Sequence, residues 1–241
     1  MISSNNIGEI KVSNEGNLDM QPVQSRLKLV PCIFMALLWF GTPLTCAADA
    51  LGDLSTLSDL GQFSAGNEAF ITQYQTGGSG DNISTIDQSG SVIGHYADIT
   101  QVGSGNQAYV VQTGDVNSAI INQTGSSNYV STNQNGLGSS TATTDVNSIS
   151  INQTGSNNSA NAIQNGYGNS MSLTQTGNAN TFTATQLGND NSISFSQPGG
   201  LGANVSEIGN GNVLSVNQVQ SQGGLSVVGY KLTGGMTIKQ N

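Results

Sequence analysis

Between residues 101 and 134 the chain reads QVGSGNQAYVVQTGDVNSAIINQTGSSNYVSTNQ, in which apolar and polar side chains alternate over short, evenly spaced stretches. Counted from each Asn, the second and fourth residues are Ala108 and Val110, Ala119 and Ile121, and Val130 and Thr132. The same positions later hold Ile149 and Ile151, Ala160 and Ala162, Met171 and Leu173, Phe182 and Ala184, Ile193 and Phe195, and Leu214 and Val216. Only Thr132 breaks the apolar rule, and the residues between are mostly Ser, Thr and Asn. A period of two predicts β-strands with one dry face and one wet face.

The unit Gln-x-Gly-x-x-Asn-x5-Gln is met without mismatch from Gln101, Gln112, Gln123, Gln153, Gln164, Gln175 and Gln186, and from Glu207 with Glu in the first place. Elsewhere the spacing between glutamines changes, yet Asn82, His95 and Asn147 still stand six residues before the next Gln. Length varies on the Gly side of the unit and not on the x5 side, so the x5 segments are expected to be strands and the Gly-bearing segments turns. A short strand with one apolar face cannot bury that face alone. Two strands facing each other make a 22-residue rung, and stacked rungs pair every backbone group. The expected fold is all-β, a parallel β-solenoid of two-strand rungs over residues 67–218, able to form amyloid.

Asn and Gln fall in phase with the apolar positions, so their amides are expected to point inward. Buried amides need partners, and identical amides stacked rung on rung satisfy one another. The candidate ladder residues are Gln101, Asn106, Gln112, Asn117, Gln123, Asn128, Gln134, Asn147, Gln153, Asn158, Gln164, Asn169, Gln175, Asn180, Gln186, Asn191, Gln197, Asn212 and Gln218. Gly103, Gly114, Gly125, Gly155, Gly166, Gly177, Gly188 and Gly209 stand two places after Gln or Glu207, where a tight turn wants a positive φ.

Composition narrows the class. Only 8% of residues are charged and 5% aromatic, against 32 glycines. That is poor material for a compact enzyme core, while the strict spacing argues against disorder. Residues 1–48 form a separate region. Arg26 and Lys28 precede the apolar run LVPCIFMALLWF, followed by TPLTCAADA, so a secretory signal cut after Ala47 or Ala48 is expected, with Met20 as the start. The run is too short to span a bilayer as a helix. Cys32 and Cys46 both fall in this region, and PLTC departs from the usual lipidation pattern. From Asp49 onward Lys231 and Lys239 face eleven carboxylates, a net of −9, which disfavours a nucleic-acid partner.

The segments QVGSGNQAYVVQ and QTGDVNSAIINQ resemble the curlin repeat, Gln-x-Gly-x-x-Asn-x-Ala-x3-Gln, of the subunits of curli, the amyloid fibres of Gram-negative biofilms. The resemblance extends with lapses over residues 67–218. It implies a protein secreted through an outer-membrane pore with accessory proteins, self-associating into extracellular fibres with another curlin subunit at the cell surface. The tail 219–241, irregular and bearing Gln-Ser-Gln, and the leader 49–66, which is not Gly-rich, look more like the minor, nucleating subunit than the major one; Lys231 and Lys239 are candidate surface contacts.

The departures matter as well. His95 takes an Asn position, Leu201 and Glu207 bracket a degraded strand, and only twelve residues separate Gln134 from Asn147 where fifteen are expected, so the weakest rung is expected there. Turn carboxylates at Asp115, Asp145 and Asp190 are candidates for slowing aggregation. No nucleophile and base, metal cluster or cofactor motif stands out, and GGSGD at 77–81 is a lone fragment of a calcium-binding pattern. A monomeric ice- or glycan-binding solenoid is the competing class, but only Thr181, Thr183 and Thr185 make the Thr row an ice binder would repeat.

Overall fold

A computed structural model describes residues 7–13, 57–62, 67–75, 80–89, 94–114, 116–136, 146–218, 224–230 and 235–240, the first two segments by backbone alone. Among these residues there is no helix. One sheet contains β1 (Ile7–Ser13), β3 (Glu68–Tyr74), β5 (Tyr96–Ser104), β7 (Asn117–Ser126), β9 (Asn147–Ser156), β11 (Ser170–Thr176), β13 (Ser192–Pro198), β15 (Val213–Gln218) and β17 (Met236–Gln240), in that order. The other contains β2 (Leu57–Gln62), β4 (Ile83–Ser89), β6 (Gln107–Gly114), β8 (Tyr129–Gly136), β10 (Ser159–Gly166), β12 (Thr181–Leu187), β14 (Gly202–Ile208) and β16 (Leu225–Tyr230). Chain order alternates between the sheets, so each turn of chain adds one strand to both. This is a parallel β-solenoid.

The alternation read from the sequence is the alternation of burial. In β11 every second residue is buried, with Ser170, Ser172 and Thr174 outside and Met171, Leu173 and Gln175 inside. The two inner faces are matched in volume: Ile149 and Ile151 share a rung with Ala160 and Ala162, and Phe182 meets Phe195 across the core with ring centroids 4.7 Å apart. Such interdigitation is what close packing demands of two sheets facing each other. Two polar residues stand at apolar positions: Thr132 donates its hydroxyl to the Tyr109 carbonyl at 3.4 Å, and Ser84, in register with Ala108, donates to Gln101 Oε1 at 2.8 Å.

Two local expectations change. The Gly-bearing segments are not simple turns that end the ladder: β5, β7 and β9 pair in register through Gly103, Gly125 and Gly155 and on to Ser104, Ser126 and Ser156. Even the bends stack, Ser127 donating its N–H to the Ser104 carbonyl and Asn157 to the Ser126 carbonyl, each at 3.0 Å. The strands on either side of the irregular spacing after Gln134 keep the regular register, β8 pairing with β10 and β7 with β9 without a slip and Asn117 lying opposite Asn147. The strand between Leu201 and Glu207 is not degraded: β14 pairs along its whole length with β12.

Strands also lie outside residues 67–218. β2 pairs parallel to β4, with Gln62 opposite Gln88, and β17 pairs with β15, with Gln240 opposite Gln218. β1 lies antiparallel along β3. The expected cleavage site and most of the leader fall outside the described residues.

Deleting residues 138–145 would leave four residues between Gln134 and Asn147, the regular spacing. If the extra length is only a connection, the urea midpoint should hold or rise slightly, because loop closure costs only about 0.6 kcal/mol per doubling of length. A large loss would mean that the segment carries part of the core.

Candidate functional site

The inward amides form four continuous columns. In the odd-numbered sheet the Nε2 group of each Gln donates to Oε1 of the next: Gln73 to Gln101 at 2.7 Å, Gln101 to Gln123 at 2.8 Å, and Gln123 to Gln153 at 3.0 Å. The column continues through Gln175 and Gln197 to Gln218 at 2.8 to 2.9 Å. In the even-numbered sheet it runs from Gln88 through Gln112, Gln134, Gln164 and Gln186 to the carboxylate of Glu207. Every one of these bonds points toward the C-terminal end.

The Asn columns point the other way. Asn106, Asn128, Asn158 and Asn180 each donate Nδ2 to Oδ1 of the Asn one rung earlier, beginning at Asn82, over 2.9 to 3.2 Å. Asn147, Asn169, Asn191 and Asn212 do the same from Asn117 onward. That Oδ1 often accepts a second bond, from the backbone N–H of the next Asn, as Asn106 Oδ1 does from Asn128 at 3.1 Å. A sequence pattern cannot disclose this second bond, nor the direction of the columns.

A primary amide carries two N–H groups, and stacking uses one. For Gln the other reaches across the core to the facing strand: Gln112 to the Tyr96 carbonyl at 2.9 Å, Gln123 to Gln107, Gln153 to Tyr129 and Gln164 to Ser148, each at 3.0 Å. For Asn it reaches a glycine carbonyl: Asn106 to Gly125 at 3.0 Å, Asn147 to Gly166 at 2.8 Å, and Asn169 to Gly188 at 2.8 Å. The amides therefore bind rung to rung and sheet to sheet at once.

This explains the glycines more fully than turn geometry does. Gly103, Gly125, Gly155, Gly166, Gly188 and Gly209 have φ between 114° and 126°, and Gly114 and Gly177 have 80° and 95°. A Cβ on Gly103 would overlap the carbonyl oxygen of Gly125, the acceptor for Asn106. The residue just before seven of the ladder Asn residues is a second left-handed position. Gly105, Gly168 and Gly211 fill it in some rungs, and Ser127, Asn157, Ala179 and Asp190 in others, at φ 55° to 58°. The sequence reading missed it, because its occupants vary.

The departures fit the same columns. His95 is buried in an Asn place; its backbone N–H donates to Asn67 Oδ1 at 2.9 Å and its Nδ1 lies 3.2 Å from the backbone nitrogen of Asn117, accepting as an Asn oxygen would. Its Nε2 lies 3.1 Å from the Ser89 carbonyl. Leu201 ends the even-sheet Asn column, keeping only its backbone bond to Asn180 Oδ1 at 3.2 Å. Glu207 ends the Gln column of that sheet, and burial raises its carboxyl to about 7, against a smaller lowering by the Gln186 bond. Outside, Tyr96 lies 3.5 Å from Asp98 and its hydroxyl is raised, first by burial and then by that carboxylate. Lys231 and Asp145 lie outside the described residues, as does Asp115, while Lys239 is described by its backbone alone, opposite Asn217.

Among the described residues no group of three or more His, Cys, Asp or Glu is placed to hold a metal ion, and no helix is long and apolar enough to cross a membrane. Fold and ladders together define a parallel β-solenoid repeat protein. The family model of the curlin associated repeat matches residues 96–125 and 145–177 and supports the curlin repeat family. The match and the fold point to a structural protein rather than an enzyme. No curated protein and no solved structure matches the chain.

Replacing Gln153 with Leu keeps the burial but strands the Gln123 N–H group, the Gln175 oxygen and the Tyr129 carbonyl. A loss of at least about 3 kcal/mol in denaturant titrations is expected, from about 1–3 for each of the three unsatisfied buried groups. Ser150→Thr, on the outer face, should change stability by less than about 0.5 kcal/mol; equal effects at the two sites would refute the ladder account.

Proposed function

We propose that the chain is a subunit of curli-type extracellular amyloid fibres, which joins copies of itself or another curlin subunit by continuing its sheets and amide columns end to end. The observation that carries the reading is the state of the columns at the ends of the rod. The glutamine register continues beyond residues 67–218, Gln62 opposite Gln88 and Gln240 opposite Gln218, and among the described residues no strand covers the outer edges of β2 and β17. A stacked neighbour would supply the missing donors and acceptors, as each rung does for the next. Polar, Ser- and Thr-rich outer faces keep such rods from collapsing sideways onto one another.

Purified from denaturant and diluted, residues 49–241 are expected to form fibres after a lag, with thioflavin T fluorescence and a meridional reflection at about 4.7 Å, the spacing of stacked strands. Persistent monomer at high micromolar concentration would defeat the proposal.

Within that reading, the nucleating role is favoured over that of the major subunit. The support is asymmetry: both even-sheet columns lapse near the C-terminal end, at Leu201 and Glu207, and Gly229 follows in register where an amide would extend the second. A rod whose even-sheet amide columns stop before its C-terminal end suits a subunit held at the cell surface while fibres grow from it. Secretion with removal of residues 1–48, passage through an outer-membrane pore and surface contact by Lys231 and Lys239 belong to the same proposal. Removing residues 219–241 should leave polymerisation in the tube intact but release the protein from cells and scatter fibre growth; unchanged surface fibres would favour the major-subunit role.

A further inference from the structure

The geometry points to Glu207 as a proton-operated terminus of the even-sheet Gln column, neutral when the last rungs are locked and loosening them when it ionises. The inference rests on the solenoid alone and stands whether or not the chain forms fibres.

Glu207 is fully buried and occupies the register position of Gln186, which donates Nε2 to Glu207 Oε2 at 3.0 Å. Its other oxygen, Oε1, is buried and has no partner. At every earlier rung of the column the corresponding atom is a nitrogen that donates to the first carbonyl of the facing strand, as Gln186 does to Ser170 at 3.1 Å and Gln164 to Ser148 at 3.0 Å. Ser192 is the residue in register with Ser170, so its carbonyl is the counterpart for Glu207. An ionised carboxylate would set oxygen against oxygen there. A carboxylic acid sets an O–H donor against a carbonyl, which is the bond the rung expects.

The donor count favours an acid over an amide. A Gln at this place would bring two N–H groups, one for the facing carbonyl and one for the next rung, but the next rung has Gly229 in register and offers no side-chain acceptor. A neutral acid brings a single O–H and leaves no donor stranded. Among the described strands around Glu207, β11, β12, β13 and β15 contain no titratable residue, β16 has only Tyr230, in register with Ile208, and β17 only Lys239, in register with Asn217.

Burial pushes the Glu207 carboxyl above its ordinary range, to about 7. The folded rung therefore binds the proton more tightly than the unfolded chain does. Its stability is greatest at acid pH and falls as pH rises from the ordinary carboxyl range through about 7, levelling off above that.

Hydrogen–deuterium exchange on the full chain, corrected for intrinsic rates and run at about pH 5 and about pH 8.5, tests this. Relative to residues 147–166, protection of 202–208 and 225–230 should fall by about tenfold to hundredfold at the higher pH in the wild type. It should not change in Glu207→Gln. A wild type with no such step, or a variant with the same step, would overturn the inference. If the variant does not fold, infrared spectra of wild-type protein with isotope-labelled glutamate decide the matter. A protonated-carboxyl band that persists to near-neutral pH supports the terminus, and loss of all such bands in the ordinary carboxyl range refutes it.

Discussion

A primary amide buried in a dry core has three hydrogen-bonding demands, two from its nitrogen and at least one from its oxygen, and the rest of this molecule is arranged to meet them. Stacking on an identical neighbour meets two. The remaining N–H must find a carbonyl that no side chain obstructs, so Gln reaches the first residue of the facing strand and Asn reaches a glycine. From that requirement follow the fixed distance between Asn and Gln, the glycine two places after Gln, and the constant gap between the sheets. The apolar residues fill the space this frame leaves, which is why Ala, Ile, Met and Phe trade places freely along the columns.

The same frame explains where the chain tolerates change. Extra residues accumulate between Gln and the next Asn, as after Gln134, and the strands on either side keep their register. Inside the strand no residue can be added, because a slip of one would bury Ser and expose Ile. Substitution within a column is tolerated only by groups that reproduce part of an amide. His95 offers an accepting nitrogen, Glu207 an accepting oxygen, and Leu201 neither, so that only its backbone remains bonded there.

Column direction gives the rod a polarity that composition lacks. Gln columns donate toward the C-terminal end and Asn columns toward the N-terminal end, so the two ends present different atoms to anything that stacks on them. Charge plays little part: with 8% charged residues, most of them outside the columns, register depends on amide geometry and on the apolar period.

The period-two pattern, the inward place of the ladder Asn and Gln residues from Gln101 to Gln218, and the solenoid itself were legible from residues alone, since each repeat states the same local preference and only stacking satisfies it. Three things were not. The extension of strands through Gly103, Gly125 and Gly155 depends on glycines of adjacent rungs touching, a contact between residues at least twenty-two apart. The left-handed residue before most ladder Asn residues has no constant side chain to mark it, because Ser127, Asn157, Ala179 and Asp190 all serve. Leu201 to Glu207 reads as a failed repeat in one dimension, yet forms a complete strand because β12 and β16 template it from both sides. Sequence determined the repeating unit, whose hydrogen-bond needs are local and chemical; tertiary structure decided the partners, because an amide's second N–H is satisfied only by whatever carbonyl the facing strand brings within reach.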